Sequence, residues 1–218
     1  MQYEAFFLDF DGVLADSVEV KTQAFTRLFE PYGVEVVAKV IEHHRNHGGM
    51  TRDDKFRHYY TEFLGEPLTE EDLADLCQRF ARLVVDEVVH APEIPGAESF
   101  LKEWHDQVPC FVISATPEEE IREIVQRRAL DVYFRDVLGS PVSKKDNLEA
   151  VLNRYALHPG GCIFFGDAES DYRAARQCKV PFLGILPGPE APLLKAFRDI
   201  VWFRNFNEMQ QWLSANRL

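Results

Sequence analysis

The chain has 218 residues, of which 46% are hydrophobic and 28% charged, and this composition is ordinary for a globular protein with one large domain or with a domain carrying an insertion. Its formal net charge of −12 at pH 7 argues against nucleic acid or an anionic membrane as a partner, because both require basic surface. A small anionic substrate is not excluded, since it needs only a locally positive pocket.

Short apolar runs alternate with amphipathic helices along most of the chain. "PEEEIREIVQRRA" and "KDNLEAVLNRY" carry apolar residues at helical spacing on one face. Strands alternating with helices predict an α/β fold with a doubly wound parallel sheet. Six runs rich in β-branched or aromatic residues are typical of its buried strands: "YEAFFLDF", "VPCFVIS", "FRDVLGS", "GCIFFGD", "VPFLGIL" and "RDIVWF".

The segment 16–91 breaks this alternation. It has no convincing strand, whereas "VEVKTQAFTRLFE" and "TEEDLADLCQRFARLVVDEVV" each have one apolar helical face. "APEIPGAES" follows, with the proline and glycine residues of a hinge. We therefore expect a small all-helical cap domain at 16–91, inserted into a core formed by 1–15 and 92–218.

Carboxylates stand where two predicted strands end. Asp9 and Asp11 close the first strand in "FFLDFDGVLADS", and Asp167 and Asp171 follow the fourth in "GDAESD". Ligands of open α/β sheets bind beyond these strand ends. Two unit charges 4 Å apart repel by about 4 kcal/mol at an effective dielectric of 20, so such a cluster needs compensation. Oxygen ligands of this kind suit Mg²⁺, which also binds substrate phosphate.

Polar and basic residues belong to the same predicted edge. Ser114 and Ala115 end the second strand, and Lys144 and Lys145 begin a helix after the third. A cation at a helix N-terminus opposes the helix dipole at a cost of a few tenths of a kcal/mol or more, so we expect a negative group nearby. We prefer Lys144 because it is nearer the strand end, and Lys145 stays an alternative.

Two neighbouring residues are expected to be helix N-caps. Asp16 would cap the first helix of the insert, with Glu19 completing a capping box. Thr116 would cap the next core helix, with Pro117 at the first helical position. A helix that begins directly behind Ser114 would present free N–H groups to an anion.

One loop of the insert, "HHRNHGGMTRDDKFRHYY", is rich in cations and histidines for so acidic a chain. One interpretation is a solvated basic face. The other is a loop hinged at Gly48 and Gly49 that leans over the strand ends. There Gly49 and Arg52 would contact the substrate, since a guanidinium can grip a carboxylate or second phosphate through two hydrogen bonds. Lys55 and the histidines are weaker candidates.

The cysteines indicate a reducing compartment. All four are scattered, with no C-x-x-C pair, which is typical of buried free thiols. The chain shows no targeting pattern and no stretch near the roughly 20 apolar residues of a membrane span. We expect a cytoplasmic protein without a nucleic-acid or membrane partner, as a monomer or small homo-oligomer.

The order and spacing of "DFDGVLADS", Ser114, Lys144 and "GDAESD" resemble the four motifs of the haloacid dehalogenase superfamily. The whole chain is similar in layout to its phosphatases of the phosphoglycolate phosphatase and β-phosphoglucomutase type, which carry a helical cap after the first motif. The third motif departs from the commoner Lys-Pro form, so the choice between Lys144 and Lys145 stays open.

The resemblance implies a role for each of these residues. Asp9 would be the nucleophile that forms an aspartyl-phosphate, and Asp11 the general acid and then base. Ser114 and the Ala115 N–H would bind phosphoryl oxygens, and Lys144 would neutralise developing charge. The metal ligands would be Asp9, the Asp11 carbonyl, Asp167 and, directly or through water, Asp171.

These roles describe a Mg²⁺-dependent phosphatase, a phosphoric monoester hydrolase acting on a small phosphorylated metabolite. One alternative is a sugar phosphomutase of the β-phosphoglucomutase type. In that branch a cap histidine follows the first motif, whereas the matching position here holds Lys21, which disfavours the mutase. An alternative of another class is a non-catalytic phosphate-binding regulator.

Overall fold

The computed structural model describes residues 3–215. All adjacent strands of its six-stranded sheet pair in parallel, in the order β3-β2-β1-β4-β5-β6. The predicted doubly wound parallel sheet is confirmed, and every predicted strand is present. The strands are β1 (Ala5–Leu8), β2 (Cys110–Pro117), β3 (Phe134–Ser140), β4 (Cys162–Gly166), β5 (Phe182–Ile185) and β6 (Trp202–Phe203).

Ten α-helices accompany the sheet within the described residues. The first four helices belong to the predicted insert, and the other six flank the sheet. They are α1 (Val18–Phe29), α2 (Val34–Asn46), α3 (Arg52–His58), α4 (Glu70–His90), α5 (Ala97–Trp104), α6 (Glu118–Arg127), α7 (Lys144–Arg154), α8 (Glu169–Gln177), α9 (Pro192–Ala196) and α10 (Phe206–Ala215). A π-helical turn (Tyr59–Leu64) and 3₁₀ turns at Glu30–Tyr32, Asp131–Tyr133 and Pro159–Gly161 complete the helical structure.

The core lies on both faces of the sheet because consecutive side chains of a strand point to opposite faces. Phe6 of β1 packs on one face, where Phe100 of α5 contacts it at a ring-centroid distance of 5.4 Å. Phe7 packs on the other face, against Phe111 of β2 at 5.4 Å. Both faces of the strand are therefore buried, which explains its continuous apolar run.

Residues 16–91, which we call the helical insert, contain α1 to α4 and no strand, and the structure describes all of them. Aromatic side chains form the interior of the insert. Buried members are Phe25, Phe29, Phe56, Tyr59 and Phe80. The helical content agrees with the sequence analysis, while the boundaries of a separate cap domain stay a prediction. The outermost residues of the predicted core, 1–2 and 216–218, lie outside the described residues.

The chain enters and leaves the helical insert at one place. Asp16 N–H donates to Pro92 O at 2.8 Å, and Ile94 N–H donates to Leu14 O at 3.1 Å. Arg128, just after α6, donates to the carbonyls of Val88, Val89 and Ala91 at 2.9, 3.0 and 2.7 Å. These bonds satisfy carbonyls at the end of α4 and fix the insert beside the end of β1.

The strand order defines where a ligand can bind. β2 and β4 are the neighbours of β1, so the order reverses beside β1 and leaves a crevice beyond its carboxyl end. We call this end of the sheet the site edge. Over residues 3–215, no helix combines the length and apolar character needed to span a bilayer.

Candidate active site

Asp9 is held firmly at the site edge. Its N–H donates to Phe165 O of β4 at 2.9 Å, and its Oδ1 accepts from Phe10 N–H at 2.7 Å. Burial raises the pKa of Asp9 to about 7; Lys144 opposes this rise and the neighbouring carboxylates add to it. The Asp9 carboxylate therefore needs nearby positive charge to stay ionised at neutral pH.

Lys144 supplies part of that charge. Its Nζ lies 2.7 Å from Asp9 Oδ2 and 2.6 Å from Asp171 Oδ1. Burial lowers the pKa of Lys144, but the two carboxylates outweigh burial and hold it above its ordinary value. Lys145 has a side chain 41% exposed and pairs with Glu149 at 2.6 Å. Of the two candidate lysines, Lys144 lies in the site and Lys145 on the surface.

The start of α7 orients Lys144. Ser143 is the N-cap, and its Oγ accepts from Asp146 N–H at 3.1 Å. Lys144 is thus the first residue of the helix, where a cation opposes the helix dipole. The negative groups expected beside it are present, as Asp9 and Asp171.

Asp9, Asp167 and Asp171 form the acidic cluster, in which one oxygen of each residue lies within 4.8 Å of the others. Burial raises the pKa of Asp167 well above its ordinary value, and the charges of Asp9 and Asp171 add to the rise. Lys144 alone cannot neutralise three carboxylates. Their donors are all hard oxygen atoms, so these residues fit a Mg²⁺ ion.

Gly12 permits the turn that follows Asp11. Its φ is +79°, a left-handed conformation that favours glycine, and an added Cβ would clash with the Asp167 carboxylate. A larger residue at this position would therefore push the first loop away from the acidic cluster.

The Asp11 carboxylate is not part of the acidic cluster and is surrounded by donors. Ser17 Oγ donates to Oδ1 at 2.6 Å, while Lys21 Nζ at 2.5 Å and Thr116 Oγ1 at 3.1 Å donate to Oδ2. Burial raises the pKa of Asp11, but Lys21 and the two hydroxyls outweigh it and hold the pKa below its ordinary value. Asp11 is therefore ionised at neutral pH.

Both N-cap predictions beside these residues were wrong. Ser17, not Asp16, occupies the N-cap position of α1, and its hydroxyl binds Asp11 instead of the helix. Thr116 belongs to β2, and α6 begins only at Glu118, without a side-chain cap. The hydroxyls of Ser17 and Thr116 donate to Asp11 instead of capping a helix, because a charged carboxylate is the stronger acceptor.

Ser114 and Ala115 lie where the sequence analysis expected them, at the end of β2. Ser114 is buried and its Oγ accepts from Thr116 N–H at 3.1 Å. Its own hydroxyl hydrogen can still be donated to an anion. Ala115 lines the same cavity as Asp9 and Asp11.

The helical insert closes over the site edge and leaves a cavity of about 50 Å³. A cavity needs at least roughly 10–15 Å³ by this measure to hold one water, so this one has room for a small polar ligand group. Its walls combine charged groups of both signs with apolar side chains of the insert. Lining residues are Asp9, Asp11, Val18, Lys21, Phe25, His44, Gly48, Met50, Arg52, Lys55, Phe80, Ala115, Thr116 and Asp167.

Gly49 is the point of closest approach between the insert loop and the core. A Cβ at this position would lie 2.9 Å from Ser170 Cβ and 3.1 Å from Ala168 Cβ, and it would overlap Ser170 Oγ. Gly48 has room, because its nearest contact would be Ala168 Cβ at 3.9 Å. The loop therefore leans over the site edge as one interpretation of the sequence expected, and Gly49 makes that approach possible.

Arg52 lines the cavity, but its guanidinium is already bound. It pairs with Glu120 of α6 and donates to Cys77 O at 3.0 Å. Its contact with a substrate stays a prediction. Lys55 is also buried and lines the cavity, so the interpretation of this loop as a solvated basic face does not hold for these two cations.

Sequence analysis missed Ser17 as a partner of Asp11 and considered Lys21 only in relation to the mutase. The sequence did contain a signal for these partners of Asp11. Ser17 and Lys21 are four residues apart, so they share one face of the helical turn that follows Asp11. Thr116 could not be found this way, since it comes from another strand.

Comparison with known proteins gives three relationships. A family model described as a haloacid dehalogenase-like hydrolase matches residues 3–179. A phosphoglycolate phosphatase of Synechococcus elongatus is 25% identical over 183 residues, which cover 80% of this chain and 79% of that protein. Protein CbbY of Rhodobacter capsulatus is 25% identical over 192 residues, which cover 81% and 82%.

Solved structures share the fold. A predicted phosphatase from Clostridium acetobutylicum superposes with a TM-score of 0.77 over 99% of this chain and 100% of that chain. The sequence identity is 18%, so this likeness establishes the architecture alone.

The charge balance of the site predicts a stability difference between the two lysines. We expect Lys144→Met to lower the free energy of unfolding of the metal-free protein by about 3–5 kcal/mol at neutral pH, because buried carboxylates lose their cation. The raised pKa of Asp9 lets the folded state take up a proton first, so the loss should shrink as pH falls from 7.

Lys145→Met is the matched control and should cost less than about 1 kcal/mol, as for an exposed ion pair. Urea unfolding at several pH values measures both variants. Equal losses in the two variants would contradict the assigned charge balance.

Proposed function

Because the chain belongs to the haloacid dehalogenase-like hydrolase family, we propose that it is a Mg²⁺-dependent phosphatase acting on a small phosphorylated metabolite. The observation that carries this proposal is the buried contact of Lys144 with Asp9 and Asp171, beside Asp167. This arrangement would bring a nucleophile, a cation and acidic metal ligands together at one edge of the sheet.

Asp9 is proposed to attack the phosphorus atom and form an aspartyl-phosphate, while the bond from phosphorus to the leaving alcohol breaks. Lys144 contacts the Asp9 carboxylate and would offset charge that develops on the transferring group. Ser114 has a hydroxyl hydrogen to donate to a phosphoryl oxygen, and the Ala115 N–H is proposed to do the same.

Asp11 is proposed to pass a proton to the leaving alcohol and then to take a proton from the water that hydrolyses the aspartyl-phosphate. Because Asp11 is ionised in the free protein, the first proton would come from the monoanionic form of the phosphoester. The hydrogen bonds of Asp11 with Ser17, Lys21 and Thr116 orient the carboxylate and favour the ionised form. That is the form required in the second step. The leaving alcohol takes the proton, and phosphate leaves with the hydroxyl of water.

Mg²⁺ would be held by Asp9, the Asp11 carbonyl and Asp167, with Asp171 in support, and would neutralise phosphoryl charge. Asp171 is already bound by Lys144 and by Ala168 N–H, the latter at 3.1 Å, which suits a supporting role. A cation beside Asp9 would also lower the raised pKa of that residue.

The small cavity favours a substrate with few heavy atoms beyond the phosphoryl group. A cytoplasmic location is proposed from the four free cysteines, which suit a reducing compartment. The mutase and the non-catalytic regulator remain alternatives. Release of inorganic phosphate from p-nitrophenyl phosphate in the presence of Mg²⁺ tests the phosphatase against the regulator.

The nucleophile is tested by Asp9→Asn, which we expect to keep the fold and abolish phosphate release. Asp16→Asn, at an exposed carboxylate seven residues away, is the matched control and should keep wild-type activity. Circular dichroism and thermal melting check the fold of both. A substantial residual rate in Asp9→Asn would exclude covalent catalysis by this residue.

The metal site is tested without relying on turnover. Binding to the native state alone should stabilise the protein by about 2.7 kcal/mol when Mg²⁺ is at a hundred times its Kd. Thermal melting against Mg²⁺ concentration measures this, and Asp167→Asn should shift the curve to higher concentrations. Activity should vanish with EDTA and return with Mg²⁺; full activity in metal-free buffer would contradict the proposal.

Closure of the insert loop is tested at the two glycines. We expect Gly49→Ala to lower kcat/KM about tenfold, because overpacking typically costs about 1–3 kcal/mol and would hold the loop off the core. Gly48→Ala should have little effect. Adding Ser170→Gly to Gly49→Ala should restore part of the activity, since it removes the atoms that clash; no restoration would mean that closure is not what Gly49 provides.

A further inference from the structure

Lys55 is a buried cation that the proposed mechanism does not use. It lies in α3 of the helical insert, is 2% exposed, and lines the same cavity as Asp9 and Asp11. Its Nζ lies 2.9 Å from His44 Nδ1 and 5.7 Å from the centre of the Phe25 ring. Among residues 3–215, no carboxylate forms an ion pair with it.

The other cations of the cavity, and Lys144 beside it, are all matched by acids. Lys144 has Asp9 and Asp171. Lys21 has Asp11, and Arg52 has Glu120. Each of these charges is compensated before any substrate arrives. Lys55 differs from them because its hydrogen-bond partner is an imidazole.

That imidazole is neutral. Burial lowers the pKa of His44 to about 3, and the positive charges of Lys55 and Lys21 contribute. Neutral His44 can therefore accept a hydrogen bond from Lys55 at Nδ1 while adding no negative charge. The bond orients the ammonium and leaves its charge uncompensated.

The electrostatic surroundings of Lys55 are consistent with its having no acidic partner among residues 3–215. Burial lowers its pKa to about 7, and Lys21 and Lys144 act in the same direction, against weaker opposition from Asp11 and Asp167. Arg52, three residues before Lys55 in the same helix, is neutralised by Glu120. A buried cation without an anion costs folding free energy, unless a ligand brings the anion.

The cavity limits what that anion can be. Val18, Phe25, Met50 and Phe80 give it apolar walls, and its volume is about 50 Å³. A carboxylate adds only three heavy atoms to a substrate, whereas a second phosphate adds five. A carboxylate is therefore the smaller of the two anions to bring beside Lys55.

We propose that Lys55, oriented by His44, binds a carboxylate on the leaving group of the phosphoester and makes the protein selective for short phosphorylated acids. This assignment rests on the proposed phosphatase function, and it makes Lys55 a specificity-determining residue. Arg52 is less suited to the role because Glu120 already neutralises it.

The test compares two probes that share the phosphate and differ at one end. Phosphoglycolate carries a carboxylate, and 2-hydroxyethyl phosphate carries a hydroxymethyl group in its place. We expect the wild type to prefer phosphoglycolate. Lys55→Met should lower kcat/KM for phosphoglycolate by about 10- to 100-fold, mostly through KM, since hydrogen bonds to charged groups are worth about 1.5–3 kcal/mol. The second probe should change less than about threefold.

Two further readouts separate binding from a structural role. Without substrate, Lys55→Met should melt at or above the wild-type temperature, because it removes an uncompensated buried charge. In the wild type, KM for phosphoglycolate should rise about tenfold per pH unit above 7, as Lys55 loses its proton, and KM for 2-hydroxyethyl phosphate should not. Lys39→Met, at an exposed lysine of α2, controls for net charge and should match the wild type.

Equal losses on the two probes with a lower melting temperature would make Lys55 a structural residue and overturn the proposal. A wild type without preference for phosphoglycolate would also overturn it. If the wild type releases phosphate from neither probe nor from p-nitrophenyl phosphate, the proposed phosphatase function fails. Calorimetric binding of both probes then decides on Lys55 alone: tighter binding of phosphoglycolate that Lys55→Met removes supports the assignment, and equal or absent binding overturns it.

Discussion

Repulsion among three buried carboxylates, those of Asp9, Asp167 and Asp171, is the constraint on which the site depends. Strand order brings them to one sheet edge, where one oxygen of each lies within 4.8 Å of the others. Burial prevents water from screening their charges, so the fold must supply cations. Lys144 contacts two of the three, at 2.7 and 2.6 Å, and the hard oxygen donors that remain fit a divalent metal ion.

The helical insert extends the same principle of charge matching to the substrate side of the cavity. Of the cations that line the cavity, Lys21 is paired with Asp11 and Arg52 with Glu120. These pairs fix the insert against the core and orient the Asp11 carboxylate. Lys55 contacts only neutral His44, so the insert side of the cavity keeps one cation without an acidic partner among the described residues. Under the proposed function, the core would bind the phosphoryl group and the insert would bind the rest of the substrate.

Local sequence patterns predicted the elements well and their hydrogen-bonding partners poorly. The six strands and the helices of the insert follow from apolar periodicity, which depends on residues close together in the chain. The expected N-caps at Asp16 and Thr116 rested on equally local patterns and were wrong. Ser17 and Thr116 instead donate to Asp11, whose charge makes it the stronger acceptor, and Thr116 lies 105 residues from it in sequence.

The sequence by itself determined the parallel sheet, the helical insert and the strand-end acids. Its apolar runs mark the strands, and the carboxyl ends of parallel strands, which carry Asp9, Asp11, Ser114 and Asp167, meet at one edge. It also indicated that the insert loop carries cations towards that edge. Only the tertiary structure decided which cations are neutralised. Arg52 meets Glu120 across 68 residues of sequence, while Lys55 meets no acid among the described residues. Charges pair according to their distance in space, and local sequence patterns do not reveal which distant residues come close together.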